Sequence, residues 1–145
     1  LLGTRNDLER LAHTSHNRSI NRYQWELSAL SSALDYSASD HHAVFEALKH
    51  LIALRKAQPA FHPNATQFTL HLGDALFGFC RQSLDGRQSL FCVHNLTSEE
   101  QVLALSRLNL VMNHRWRELI SGVPVERESP EWTLAPYQTL WITND

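Results

Sequence analysis

The feature that most constrains the fold is a change of hydrophobic period at residues 62–64, "HPN". Ahead of it, "HHAVFEALKHLIALRKAQPAF" puts Val44, Leu48, Leu51, Ile52 and Arg55 on one face of a 3.6-residue repeat, with Phe45 beside it, and Pro59 stops the run. Behind it the alternation has period 2. The runs "QFTLHL", "ALFGFCRQ", "QSLFCVHN", "QVLALS", "HRWRELI", "EWTL" and "QTLWIT" are bounded by Gly73-Asp74, Asp85-Gly86, Asn95 to Glu99, Ser121-Gly122 and Ala135-Pro136. A single element cannot carry both periods. The chain therefore reads as helix and loop over residues 1–60, then an antiparallel β-sandwich over 61–145.

Two helices are expected in the first part. "ELSALSSALDY" (26–36) spaces Leu27, Leu30 and Leu34 for a short one, and the second starts at Asp40, read as its N-cap. Lys49, His50, Arg55 and Lys56 load the carboxyl-terminal half of that second helix, where they complement its dipole. A sheet of some 85 residues can bury its own core, but two helices with one apolar face each cannot. They are expected to pack on something outside this sequence. The chain also opens on Leu1, on what reads as the middle of an element, and is read as the tail of a longer protein.

Charge and composition exclude several classes. A net charge of −2 with scattered Lys and Arg gives no basic field for nucleic acid. No apolar run is long enough to span a bilayer, and "LLGTRNDLER" lacks the grammar of a signal peptide, so no membrane partner and a cytoplasmic location are expected. If Asp85-Gly86 centres a hairpin, position 80 pairs with 91 and 79 with 92, which sends Cys80 and Cys92 to opposite faces as free thiols. Nine histidines include the pairs His13/His16 and His41/His42, yet no Cys or acidic residue completes a metal pattern, and no metal is expected.

The segment with the strongest chemical signal is "HTSHNRSINRYQW" (13–25), where Arg18 and Arg22 stand four residues apart without Gly, Pro or an amphipathic period. Taken alone, it reads as a solvated loop. The wider pattern gives it a second reading. "LIALRK…PAF" followed by "L-x-PY-x-x-x-W" resembles the last barrel helix and carboxyl-terminal β domain of glycoside hydrolase family 13, the α-amylase superfamily. "NDLE…RSINR" is similar to the loop after the eighth barrel strand in its sucrose phosphorylase subfamily, and "AFHPN" (60–64) to the branch with glucosylglycerate and sucrose 6'-phosphate phosphorylases.

The resemblance implies an α+β piece: the last loop and helices of a (β/α)8 barrel over 1–60, then the β-sandwich domain. It implies that Arg22 reaches the donor-glucose subsite, where a guanidinium offers a planar fork of donors to hydroxyls or a carboxylate. Arg18 is a second candidate substrate ligand, and Asn6, Asp7 and Asn21 are expected to brace the loop. His13 and Asn17 depart from the family's usual Arg and Gly, which leaves the acceptor sugar open.

No catalytic residue is assigned within this chain. The two carboxylates of the retaining chemistry, about 5 to 5.5 Å apart, come in this family from earlier strands. Asp7, Glu9 and Glu26 read as capping or solvated acids. The implied activity of the parent protein is transfer of glucose from a glucoside to inorganic phosphate, without a cofactor, and the chain alone is expected to be inactive. Two rivals stand beside it: a hydrolase or transglucosylase of the same superfamily, and a sugar-binding β module. For the latter, Trp132 is the tryptophan expected to be exposed, whereas Trp116 and Trp141 read as core.

Overall fold

The computed structural model describes residues 6–18, 24–110, 115–126 and 130–144. The chain divides into two compact units, Leu1–Ile52 and Ala53–Asp145.

The first unit is helical. Helix α1 (Leu8–Thr14) is capped by Asp7, whose carboxylate accepts from the Arg10 amide at 2.9 Å. It ends on Ser15 in the left-handed region, φ 51°, with the Ser15 amide returning to the Leu11 carbonyl. Helix α2 (Leu27–Asp35) is followed by a tight corner and by α3 (Asp40–Lys56). The cap of α3 falls one residue earlier than the sequence suggests. Ser39 Oγ accepts from the His42 amide at 3.0 Å and donates to the Ala33 carbonyl at 2.6 Å, so one short hydroxyl both caps α3 and closes the corner, while Asp40 opens the helix. None of the three helices buries a residue, and Val44, Leu48 and Ile52, spaced i, i+4, i+8 on α3, stay 43%, 42% and 56% exposed.

The second unit is antiparallel β. All seven expected runs form strands: β1 (Thr66–Leu70), β2 (Leu76–Gln82), β3 (Ser89–Asn95), β4 (Gln101–Ala104), β5 (Trp116–Glu118), β6 (Glu131–Leu134) and β7 (Thr139–Asn144). They divide unevenly, into a five-stranded sheet of order β1-β2-β3-β7-β5 and a two-stranded sheet β4-β6. Alternation along β3 and β7 sorts the core into two layers. Phe91, Val93, Leu140 and Ile142 point to the side where Leu103 of β4 and Leu134 of β6 close over them. Leu90 and Cys92 point to the other side, against Ala60 and Leu119. Gly78 on β2 sits close under Leu72: a Cβ there would lie 2.5 Å from Leu72 Cδ1, so that side chain would have to shift.

The β2–β3 hairpin has the expected register, Phe79 opposite Cys92 and Cys80 opposite Phe91. The two thiols lie on opposite faces and are free. Ser83 and Asp85 organise the turn: Ser83 Oγ donates to the Asp85 carboxylate at 2.6 Å and accepts from the Gln88 amide at 2.9 Å, and Gly86 supplies φ +70°.

Three buried or half-buried polar groups lock loops to the sheet. Glu118, 2% exposed, accepts from the amides of Ile120, Ser121 and Trp141 at 3.0, 2.6 and 3.0 Å and from Ser121 Oγ at 2.6 Å, joining the turn after β5 to β7. Asn95 donates to the Glu99 and Ala135 carbonyls and accepts from the Thr97 amide, tying the β3–β4 loop to the end of β6. Arg81 donates from Nε to the Ala60 carbonyl at 2.8 Å and from Nη2 to the His62 carbonyl at 2.7 Å, clamping the 59–62 segment to the sheet. Among the described residues no buried side-chain nitrogen or oxygen lacks a hydrogen bond.

Candidate functional site

The arginine-bearing loop begins at the cap of α1. Asp7 caps the helix, its carboxylate accepting from the Arg10 amide. Asn6 is exposed just ahead of it. At the other end of α1, Thr14 Oγ1 donates to the Arg10 carbonyl at 2.7 Å and accepts from the His16 amide at 3.4 Å, which reverses the chain after Ser15. This reversal delivers Arg18 as an exposed side chain at the edge of the described segment. Asn21 and Arg22 lie outside the described residues.

Beyond the loop, Trp25 stands edge-on to His41 with ring centroids 5.7 Å apart, joining the start of α2 to the first turn of α3. His42 points its Nδ1 at the Leu34 carbonyl, 2.6 Å away. Both histidines of the "HH" pair are thus engaged in fixing the corner. Two acids of this unit sit at helix ends: Glu9 in the first turn of α1, and Glu26 at the N-cap position of α2 without a side-chain bond to its amides. Among the described residues no three His, Cys, Asp or Glu side chains gather as a metal site. No helix of the described residues is long and apolar enough to cross a membrane.

In the second unit, the tryptophans divide differently from the sequence reading. Trp116 is buried, tilted against Phe91 at 5.5 Å, and Trp141 packs on Phe61 at 5.0 Å, both as expected of core. Trp132, expected to be exposed, is half-buried and packs against the main core. The reason is register: it stands two residues from the fully buried Leu134 and opposite Leu103, so alternation turns its indole inward. His94 is a half-buried titratable group that sequence reasoning missed. It lies at 5.9 and 6.0 Å from the rings of Phe77 and Phe79, stacked on both, with Nδ1 2.9 Å from Thr139 Oγ1, and its burial holds the imidazole below its ordinary range.

Solved structures share this fold. AmyP, solved in complex with maltose, matches 88% of this chain with a TM-score of 0.62 at 13% identity over 24% of its own chain. The α-amylase of Geobacillus thermoleovorans matches 88% with a TM-score of 0.61 at 18% identity, over 26% of its own chain. The α-glucosyl transfer enzyme XgtA matches 84% at 0.57, with 19% identity over 22% of its own. At these identities the likeness shows a shared fold alone.

Sequence similarity is more specific. The glucosylglycerate phosphorylase of Escherichia coli is 31% identical over 143 residues, 98% of this chain, and that of Spirochaeta thermophila is 30% identical over 151 residues, 99% of this chain. The chain is a relative of the glucosylglycerate phosphorylases, as the "NDLE…RSINR" and "AFHPN" resemblance implies. It spans 24% and 26% of the length of these two curated relatives. No family model matches the chain.

Proposed function

We propose that this chain works as the carboxyl-terminal portion of a retaining α-glucoside phosphorylase, which transfers glucose from a glucoside to inorganic phosphate and releases α-glucose 1-phosphate. The observation that carries the reading is similarity to glucosylglycerate phosphorylases across 98% of the chain but only 24% of the E. coli relative. On this reading residues 1–60 finish a catalytic barrel and residues 61–145 form its β domain, and the exposed Val44, Leu48 and Ile52 stripe of α3 lies against the rest of that barrel.

The chemistry proceeds in two steps. One carboxylate attacks the anomeric carbon while a second protonates the departing glycosidic oxygen, giving a covalent glucosyl-enzyme; phosphate then takes the glucose in place of water. Both carboxylates belong to the part of the enzyme that precedes this chain, so the chain alone has no activity. Its contribution is positioning. Arg22 holds the donor glucose or a neighbouring carboxylate, Arg18 lies beside it as a second ligand, and Asn6, Asp7 and Asn21 brace the loop. The Asp7 cap supports this division of labour, because a carboxylate bound to a backbone amide steadies the helix from which the loop leaves. Two unpaired thiols suit a reducing, cytoplasmic setting.

Product analysis tests the reading: glucose 1-phosphate formed only when inorganic phosphate is supplied supports it. Free glucose at the same rate with or without phosphate would make the parent enzyme a hydrolase of the same superfamily.

A further inference from the structure

The turn between β2 and β3 holds a peptide bond with a chemistry of its own. Asp85-Gly86 is the one Asp-Gly pair of the sequence, which contains no Asn-Gly. Glycine has no side chain to shield its nitrogen, so an aspartate ahead of it is open to attack on its carboxyl carbon by the next backbone nitrogen. The turn holds both reacting groups away from that course. The Gly86 amide donates to the Ser83 carbonyl at 2.9 Å, with Gly86 at φ +70°. The Asp85 carboxylate accepts from Ser83 Oγ at 2.6 Å and from the Arg87 amide at 3.1 Å, both on Oδ1. Ser83 is itself buried, and its Oγ accepts from the Gln88 amide at 2.9 Å, which fixes the hydroxyl in place.

We infer that Asp85-Gly86 is a latent site of spontaneous isomerisation to isoaspartate, kept shut in the folded protein by the turn, with Ser83 as its guard. The step balances with water alone. The Gly86 nitrogen bonds to Asp85 Cγ, its proton and the carboxyl hydroxyl leave as one water, and a succinimide ring closes. Water then adds at the Asp85 main-chain carbonyl carbon, the bond from that carbon to the Gly86 nitrogen breaks, and the chain runs on through the former side chain with no net change of mass. Ring closure makes two demands. The Gly86 peptide plane must turn towards Cγ, against its bond to the Ser83 carbonyl. The carboxyl must also be protonated, because an ionised oxygen is a poor leaving group. The Ser83 hydroxyl, and after it the Arg87 amide, hold the Asp85 carboxyl below the usual carboxylate range and so keep it ionised. Unfolding removes both restraints together.

The product does not fit the hairpin. Isoaspartate adds one methylene to the backbone between β2 and β3 and turns the side-chain carboxyl that Arg87 binds into the main-chain link. The register of Phe79 with Cys92 and of Cys80 with Phe91 is set across this turn, so a chain modified while open closes poorly. The test incubates the protein at neutral pH in native buffer and in guanidinium chloride, then digests both samples with trypsin. Cleavage after Arg81 and Arg87 releases residues 82–87, whose aspartyl and isoaspartyl forms separate by chromatography and are told apart by electron-transfer fragmentation.

Isoaspartate at Asp85 is expected to form at least about tenfold more slowly in native buffer than in guanidinium chloride, because the reaction waits on local opening of the turn. Ser83→Ala, shown to be folded by circular dichroism, is expected to speed the native reaction about fivefold, the factor of one lost hydrogen bond, and to leave the rate in guanidinium chloride unchanged. Ser83→Cys, close to serine in size but a weak donor, takes its place if the alanine variant unfolds, with the same direction of change. Equal rates in the two buffers, a faster reaction in the native state, or a folded Ser83 variant with an unchanged native rate would overturn the inference. The readout needs neither phosphate nor turnover, so it stands or falls apart from the phosphorylase reading.

Discussion

Phe61 stands edge-on to Trp141, ring centroids 5.0 Å apart, and so seats the chain that follows α3 on one face of the five-stranded sheet. The Arg55 guanidinium lies 5.4 Å from the centre of the same Phe61 ring, and Arg81 and Gln88 bind the backbone of Ala60 on either side. The aromatic pair is the apolar half of this joint. Phe61→Ala is expected to destabilise the second unit by about 2 kcal/mol, less than the roughly 3–5 kcal/mol of a fully buried Phe because Phe61 keeps part of its surface in water. Chemical denaturation of the chain and its variant measures the difference, and a change below about 0.5 kcal/mol would assign the joint to Arg81 and Gln88 alone.

Glu118 is the most consequential polar residue of the β unit. Its carboxylate takes three backbone amides and one hydroxyl while only 2% exposed, so removing it strands buried donors. Glu118→Ala is expected to cost about 3–5 kcal/mol, on the scale of breaking a buried charged group's network. Glu118→Gln should be milder but still destabilising, because its amide nitrogen must face a donor on one side or the other. Thermal or urea melts distinguish these, and a variant as stable as the parent chain would contradict the network.

Acidification should expose His94. In the unfolded chain it takes up a proton near its ordinary pKa of about 6.5, but burial among Phe77 and Phe79 lowers that value in the folded state. The unfolded state then binds more protons across the window below about pH 6.5, so the stability due to a neutral His94 is full above it and is lost as pH falls through the lowered folded value. Stability measured from pH 7.5 down to pH 5 should fall less steeply in His94→Asn than in the parent chain. Equal slopes would mean that His94 titrates normally.

How far these features could be read from the sequence depends on whether neighbours in sequence or neighbours in space decide them. The seven strands were legible because alternation and turn residues are local signals, and the Phe79–Cys92 register followed from the centre of one hairpin. The five-plus-two division was not, because β3-β7-β5 pairing joins segments far apart in the chain. Arg81 and Glu118 look like ordinary solvent-side charges of their strands, and only the distant backbone of Ala60, His62 and Trp141 gives them partners. Trp132 was misread for the same reason: the Pro130-Glu131 context suggests exposure, while its partner Leu103 pulls it inward. Of the candidate loop, the Asp7 cap and the exposed Arg18 are described, whereas Asn21 and Arg22 lie outside the described residues.

Thiol reactivity offers an independent check on the packing of β2 and β3. Burial pushes the Cys92 thiol up to about 12 and raises that of Cys80 as well. At pH 8 only about one Cys92 in 10⁴ is thiolate, so Ellman's reagent should modify the native chain far more slowly than the denatured one, with Cys80 the first to react. Rapid modification of two thiols under native conditions would contradict the buried placement of Cys92.

The central claim concerns the enzyme that carries this chain, and glucose 1-phosphate release measures it most directly. The longer protein, incubated with inorganic phosphate and, in parallel, with glucosylglycerate, sucrose and sucrose 6'-phosphate, is expected to release α-glucose 1-phosphate from one of them. Arg22→Ala should lower that turnover at least tenfold, on the order of 1.4 kcal/mol or more, with little change in melting. Free glucose at a rate indifferent to phosphate, or turnover untouched by Arg22→Ala, would contradict the account.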